Sequence, residues 1–265
     1  MLGILYASFG TTHDDARARQ IDAVASALSA AFPGVPVQQA FTSGMIRRSL
    51  DARGVHVPDA AEGLCLLADR GVDRVLVQPG HFMPGEEFEK LRGEVAAGAN
   101  RFEAVEIADP LLTTTDDLLR VATIMAARFP RREHAAVVLM GHGSPACANA
   151  VYAALDYRLK DMGRDDVHVA TVEAYPALSD AVARVRAVPG VRDVTLAPLM
   201  LVAGDHATND MAGEEADSWA STFKGAGFRV NCDLTGMGEL SAVRDLYVAH
   251  ARAAAARLAR RPALA

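Results

Sequence analysis

Three of the eight histidines in this 265-residue chain stand where a histidine can do chemistry. His81, His142 and His206 each lie just beyond an apolar run that reads as a β-strand. In open α/β sheets, ligands bind beyond the carboxyl ends of the strands. The other five, His13, His56, His134, His168 and His250, fall in helices, loops, strand starts or strand interiors, where surface, cap or core roles are expected. His142 sits in Leu139-Met140-Gly141-His142-Gly143-Ser144-Pro145, where flanking glycines leave the imidazole accessible and let a ligand approach the backbone. A helix-capping histidine in a tight turn is the competing reading. A phosphate-binding histidine turn would need Arg before His-Gly, and that position is Gly141.

Glu173 ends another apolar run and precedes Ala174-Tyr175-Pro176; it reads either as a site acid or as the anionic partner of a helix N-terminus. His206 lies in Gly204-Asp205-His206-Ala207-Thr208-Asn209-Asp210-Met211, a stretch that also suits a capping loop. Taken together, two imidazoles and a carboxylate suit a borderline divalent ion such as Co²⁺, Fe²⁺, Ni²⁺ or Zn²⁺. Three protein ligands leave such a site open for exchange. An earlier loop, Gly80-His81-Phe82-Met83-Pro84-Gly85-Glu86-Glu87-Phe88, offers a histidine and two acids. The acids read as dipole-favoured helix-start residues or, functionally, as a base facing the metal across a cleft between half-domains.

The elements that must position these residues alternate strand and helix, twice over. Continuous apolar runs predict buried parallel strands at 2–8, 35–41, 74–78 and 104–108, then at 135–140, 167–172, 194–199 and 228–232. Helices are expected from Thr12 or Asp14 to Pro33-Gly34, and over 59–70, 85–97 and 115–129. In the second half they are expected near 147–160, 178–188, 209–224 and 240–258. The fold class is α/β: two similar half-domains, 1–130 and 131–265, each a parallel four-stranded sheet flanked by helices. The second half carries the three metal candidates. Val75-Leu76-Val77-Gln78-Pro79 resembles Val194-Thr195-Leu196-Ala197-Pro198, and the same offset lays Glu87 on His206.

Composition removes other classes. Twenty-seven Lys+Arg against 33 Asp+Glu give a net charge of −6, with no basic tract, which speaks against nucleic acid or an anionic membrane. Cys65, Cys147 and Cys232 are odd in number and scattered, so neither a disulfide framework nor a thiolate metal site is expected. The apolar start lacks a basic leader region, and 194–203 is about half the length of a membrane span, so a cytoplasmic protein is expected.

Longer strings carry a family resemblance. Phe41-Thr42-Ser43-Gly44-Met45-Ile46, Met140-Gly141-His142-Gly143, Val172-Glu173-Ala174-Tyr175-Pro176 and Pro198 through Met211 resemble the anaerobic sirohydrochlorin cobaltochelatases of cobalamin biosynthesis. Ala7-Ser8-Phe9-Gly10-Thr11 and Tyr247-Val248-Ala249-His250 fit as well, so the likeness spans nearly the whole chain; Pro79-Gly80 before His81 departs from it. These are class II chelatases, with two α/β half-domains, a tetrapyrrole bound between them and no nucleotide.

The resemblance implies that His142, Glu173 and His206 hold Co²⁺ as substrate metal, with Fe²⁺ or Ni²⁺ as further candidates. It also implies that Glu87 matches the family's first-half acid. Some relatives are exported and bind haem; the absent leader gives no reason to expect haem here. Insertion exchanges two pyrrole protons for one ion, and His142, His206 or Glu87 would serve it catalytically. The polycarboxylate substrate needs local positive charge: Arg47 and Arg48, with Ser8 and His81, are the candidate substrate contacts. A ferrochelatase and a non-enzymatic metal or tetrapyrrole carrier are the alternatives, and a homo-oligomer stays open.

Overall fold

Continuous apolar strands need cover on both faces, and helices supply it. The computed structural model describes residues 1–261; residues 262–265, the end of the expected second half-domain, lie outside the described residues. The first sheet contains β1 (Leu2–Ser8), β2 (Val37–Phe41), β3 (Arg74–Pro79) and β4 (Ala104–Ile107), in the order β2-β1-β3-β4. The second contains β5 (Ala135–Gly141), β6 (Val167–Thr171), β7 (Asp193–Pro198) and β8 (Arg229–Cys232), in the order β6-β5-β7-β8. All six pairings are parallel. Sequential strands in a parallel sheet need a crossover, so every connection carries helix.

In the first half these are α1 (Asp14–Ala16), a wide π-helical turn Arg17–Ile21, α2 (Asp22–Ala31), α3 (Gly44–Asp51), α4 (Ala60–Asp69) and α5 (Glu86–Gly98). After β4 come α6 (Thr115–Arg128), α7 (Ala150–Asp161), α8 (Leu178–Ala187), a second π-helical turn His206–Met211, α9 (Trp219–Gly225) and α10 (Ser241–Arg260). Caps fix several starts. Asp59 accepts from Glu62 N at 2.9 Å while Glu62 accepts from Asp59 N at 3.0 Å, a reciprocal box opening α4. Leu5, Ala7, Val75 and Val77 bury against Leu64, Leu67, Leu91 and Val95 in one core. Val138, Met140, Val194 and Leu196 bury against Val185, Met211, Trp219 and Phe223 in the other.

Three departures from the sequence-based expectation have physical causes. The expected helix 209–224 is two pieces. Between them, an added Cβ at Gly213 would lie 2.3 Å from the Asn209 carbonyl oxygen, and Ser218 opens a fresh helix by accepting from Ser221 N. α3 has no counterpart among the expected elements: it is only eight residues long, and only Leu50 of them is buried. The chain also divides elsewhere than at 130/131. One unit is Met1–Thr113 together with the described residues from Gly238 onward; the other is Thr114–Met237. The reason is packing: α6 lies against α7, while α10 lies against α2, β3 and β4. No helix among the described residues is long and apolar enough to cross a membrane.

Candidate metal centre

In the second unit, β5 delivers His142 through two glycines that no other residue could replace without movement. A Cβ at Gly141 would stand 2.2 Å from Cε1 of Tyr152, a ring buried under the loop whose hydroxyl is pushed up to about 12 by that burial. Gly143 has φ +96°, and a Cβ there would lie 2.9 Å from the Ala174 amide nitrogen. The loops after β5 and β6 therefore lie directly against each other. The His142 carbonyl accepts from the amides of Val172 (3.1 Å) and Glu173 (3.0 Å). Asn149 ties the same two loops, accepting from Ser144 N at 3.1 Å and donating to the Tyr175 carbonyl at 2.6 Å.

His206 opens the wide turn after β7, where Ala207 and Thr208 amides donate to the Gly204 carbonyl. Its Nδ1 is 2.5 Å from Oδ2 of Asp210. His142 Nδ1 is 2.9 Å from the Gly143 carbonyl and 3.7 Å from Oε2 of Glu173. A carbonyl and a carboxylate oxygen accept, so these contacts put the proton on Nδ1 of both rings and leave both Nε2 lone pairs for a metal. The two rings stand edge to face, centroids 4.7 Å apart. One ligand atom each from His142, Glu173 and His206 lies within 4.8 Å of the others. Their side chains are 42%, 52% and 37% exposed, so an ion would reach them from solvent. Two nitrogens, one oxygen and open positions can hold and release a divalent ion.

The first-unit candidates form no comparable cluster. Ser8 is buried with its Oγ unpartnered. His81 is buried, with Nε2 3.4 Å from Thr42 Oγ1 and no partner on Nδ1. Burial, reinforced by the Lys90 charge, pushes it down to about 4, so it is a neutral imidazole near pH 7. Lys90 donates to the Thr42 carbonyl at 2.8 Å and stands 4.0 Å from Oε2 of Glu87, an oxygen in the first turn of α5 that makes no hydrogen bond. Arg47 is committed to Asp59 at 3.3 Å, and Arg48 is exposed. A cavity of about 480 Å³ in the second unit is lined by Arg128, Pro130, Ala135, Thr195 and Asp233, at the amino end of β5, away from the three ligands.

Sequence reasoning missed Asp210 and Asn149. The i, i+4 spacing of His206 and Asp210 is the one signal that could have found the former.

A family model described as cobalt chelatase (CbiK) matches residues 2–256. The sirohydrochlorin cobaltochelatase of Salmonella typhimurium is 38% identical over 249 residues, covering 93% of this chain and 94% of that one. Sirohydrochlorin cobaltochelatase CbiKC of Nitratidesulfovibrio vulgaris is 33% identical over 262 residues, covering 97% and 91%. Among solved structures, SirB from Bacillus subtilis, determined with Fe³⁺, superposes with a TM-score of 0.69 at 15% identity, covering 99% of both chains. CbiX, described as the terminal enzyme of sirohaem biosynthesis in denitrifying bacteria, superposes with a TM-score of 0.61 at 19% identity, covering 95% of this chain and 99% of that one. At those identities the structural likeness concerns the fold, two parallel four-stranded sheets flanked by helices. The match over almost the full length places the chain in the CbiK family of cobalt chelatases.

Proposed function

We propose that this protein inserts Co²⁺ into sirohydrochlorin without nucleotide, in the making of cobalamin. The reading rests on the cluster of His142, Glu173 and His206 in a chain whose residues 2–256 match the cobalt chelatase family. The two Nε2 lone pairs and the Glu173 carboxylate take the ion from solvent and shed part of its water. Because three protein donors leave coordination positions vacant, ring nitrogens can bind before the protein lets go.

Two pyrrole protons must leave. A neutral imidazole is both ligand and base, so His142 takes one as its metal bond weakens. Glu87 is the second acceptor in this reading, supported by its half-exposed side chain, whose Oε2 makes no hydrogen bond and stands 4.0 Å from Lys90. Ser8 and His81 keep unpartnered polar atoms that the substrate can reach only if they are uncovered, and Arg48 offers an exposed charge to its carboxylates. Arg47 can join only by leaving Asp59. Fe²⁺ and Ni²⁺ suit the same donors, so the supply of ions in the cytoplasm, where we place the protein, decides among them.

Absorbance during incubation with sirohydrochlorin and Co²⁺ tests this. The native chain should form cobalt-sirohydrochlorin, and H142A should lose at least about a hundredfold in rate with its fold intact by circular dichroism. Turnover near native in H142A would remove the assignment. E87Q should slow insertion while leaving Co²⁺ affinity unchanged.

A further inference from the structure

The two units repeat each other bond by bond at the ends of their central strands. Ala7 of β1 pairs with Pro79, and Met140 of β5 pairs with Pro198. The amides that follow, Gly80 and Leu199, donate to Ala7 and Met140 at 2.7 Å each. On the other side, Ser8 pairs with Phe41 and Gly141 with Thr171. Thr42 N donates to Ser8 O (2.8 Å) as Val172 N donates to Gly141 O (3.0 Å). Ser43 N donates to Phe9 O (3.2 Å) as Glu173 N donates to His142 O (3.0 Å). Gly10 and Gly143 follow with φ of +98° and +96°. Phe9 therefore holds the place of His142, and Ser43 that of Glu173. Glu87, eight residues past Pro79 as His206 is past Pro198, holds the place of His206.

This copy cannot hold a metal as the other can. The ring of Phe9 donates nothing, and Ser43 Oγ is used in capping α3 through the Ile46 amide. Its other property is apolar. Phe9 is 43% exposed and Met45, two residues past Ser43, is 69% exposed. The corresponding position past Glu173 is Tyr175, 62% exposed. Three of the eight large apolar side chains left exposed among the described residues thus fall on this one repeated feature. A single exposed apolar side chain is ordinary, but three on the same repeated pair of loops, two in the first unit and one in the second, are not explained by chance exposure.

We infer that Phe9 and Met45 form an apolar contact for the conjugated face of the tetrapyrrole, at the place where the second unit keeps its metal donors. The inference rests on sirohydrochlorin being the substrate. Its ring is a flat, apolar, polarisable plane with carboxylates only at the periphery, the shape that an aromatic ring and a thioether accept face on. Phe9 and Met45 bind substrate; they take no part in metal binding.

Separate titrations test this: metal-free sirohydrochlorin, followed by absorbance, and Co²⁺ alone, each into the native protein, F9A, F9W and M45A. F9A should bind the tetrapyrrole about tenfold more weakly and raise its KM with a smaller change in kcat. F9W should stay within about threefold of native, and Co²⁺ affinity should be the same in all four proteins. If the native protein fails to bind sirohydrochlorin, the substrate reading falls. If the native protein binds it and F9A and M45A bind it equally well, this inference alone falls. A parallel loss of Co²⁺ binding in F9A would also overturn it, because the effect would then not belong to the tetrapyrrole.

Discussion

Asp210 occupies one ring nitrogen of His206 and leaves the other for the ion that the proposed centre would hold. At 2.5 Å from Nδ1, the carboxylate both orients the ring and makes Nε2 a better donor. D210A should therefore weaken Co²⁺ binding by about ten- to a hundredfold, and D210N should recover part of it, since an amide oxygen still accepts from Nδ1. Calorimetric titration of Co²⁺ reads this directly; native affinity in D210A would show the contact to be idle. The cluster of His142, Glu173 and His206 was legible in the sequence, because all three stand just past apolar runs. Asp210 and Asn149 were not, because their work depends on which loops meet, and only the fold supplies that. His168 was legible as a core residue of a strand. Burial, reinforced by Lys160 3.3 Å away, pushes it down to about 4, with Asp156 and Asp166 opposing and Arg184 assisting. Unfolded, it titrates near 6.5. Its neutral form costs nothing above that pH. As pH falls from about 6.5 toward 4 the unfolded chain takes up the proton first, and stability drops by on the order of 3 kcal/mol. Urea unfolding between pH 7 and 4 should show a shallower fall in H168N than in the native chain, the remainder including His81, which is pushed down in the same way. Parallel pH profiles for the two proteins would contradict this.

At the scale of elements, the strands were readable because burial on both faces makes them uniformly apolar. The short helical turns that carry candidate site residues were not. His206–Met211 is a wide turn of six residues ending against Gly213, and α3 has eight residues and buries one side chain, so both are too short for the apolar repeat over several turns that marks a packed helix. What brings the ligands together is the closeness of loops, and Gly143 is where this can be tested. G143A would place a Cβ 2.9 Å from Ala174 N at φ +96°, costing about 1–3 kcal/mol and pushing the Glu173 loop away from His142. Gly34 supplies the control, since its φ is +77° but an added Cβ would meet nothing within 4 Å. Both variants should lose stability on heating. Only G143A should also lose Co²⁺ affinity, by at least about tenfold, measured well below its melting temperature. Equal Co²⁺ binding in the two would mean that loop contact does not set the site.

For the whole molecule, the sequence shows the repeat but hides where each unit begins. Two equal halves at 130/131 follow from chain order, because α6 comes after β4 and precedes Pro130. Packing decides otherwise: Val121, Ala122 and Met125 of α6 are buried, and that helix lies against α7. α10 completes the first unit. Arg257 meets Glu106 at 2.7 Å and the Ile107 carbonyl at 3.3 Å, and Arg261 donates to the Val105 carbonyl at 3.1 Å. These bonds occupy the outer edge of β4, an edge strand whose open carbonyls would otherwise invite another chain. The second unit is therefore one continuous stretch of chain, and the first is not. A fragment of residues 114–237 should fold alone and bind Co²⁺ within about threefold of the full protein, since His142, Glu173, His206 and Asp210 all lie inside it. A fragment of 131–265 lacks α6 and carries α10 without its sheet, so it should melt without a cooperative transition. Residues 1–113, with β4 uncovered, should aggregate, and adding a peptide of 238–261 should reduce this. Circular dichroism melting and Co²⁺ titration of the three fragments separate the two divisions. A cooperative, cobalt-binding 131–265 beside an unfolded 114–237 would restore the boundary at 130/131.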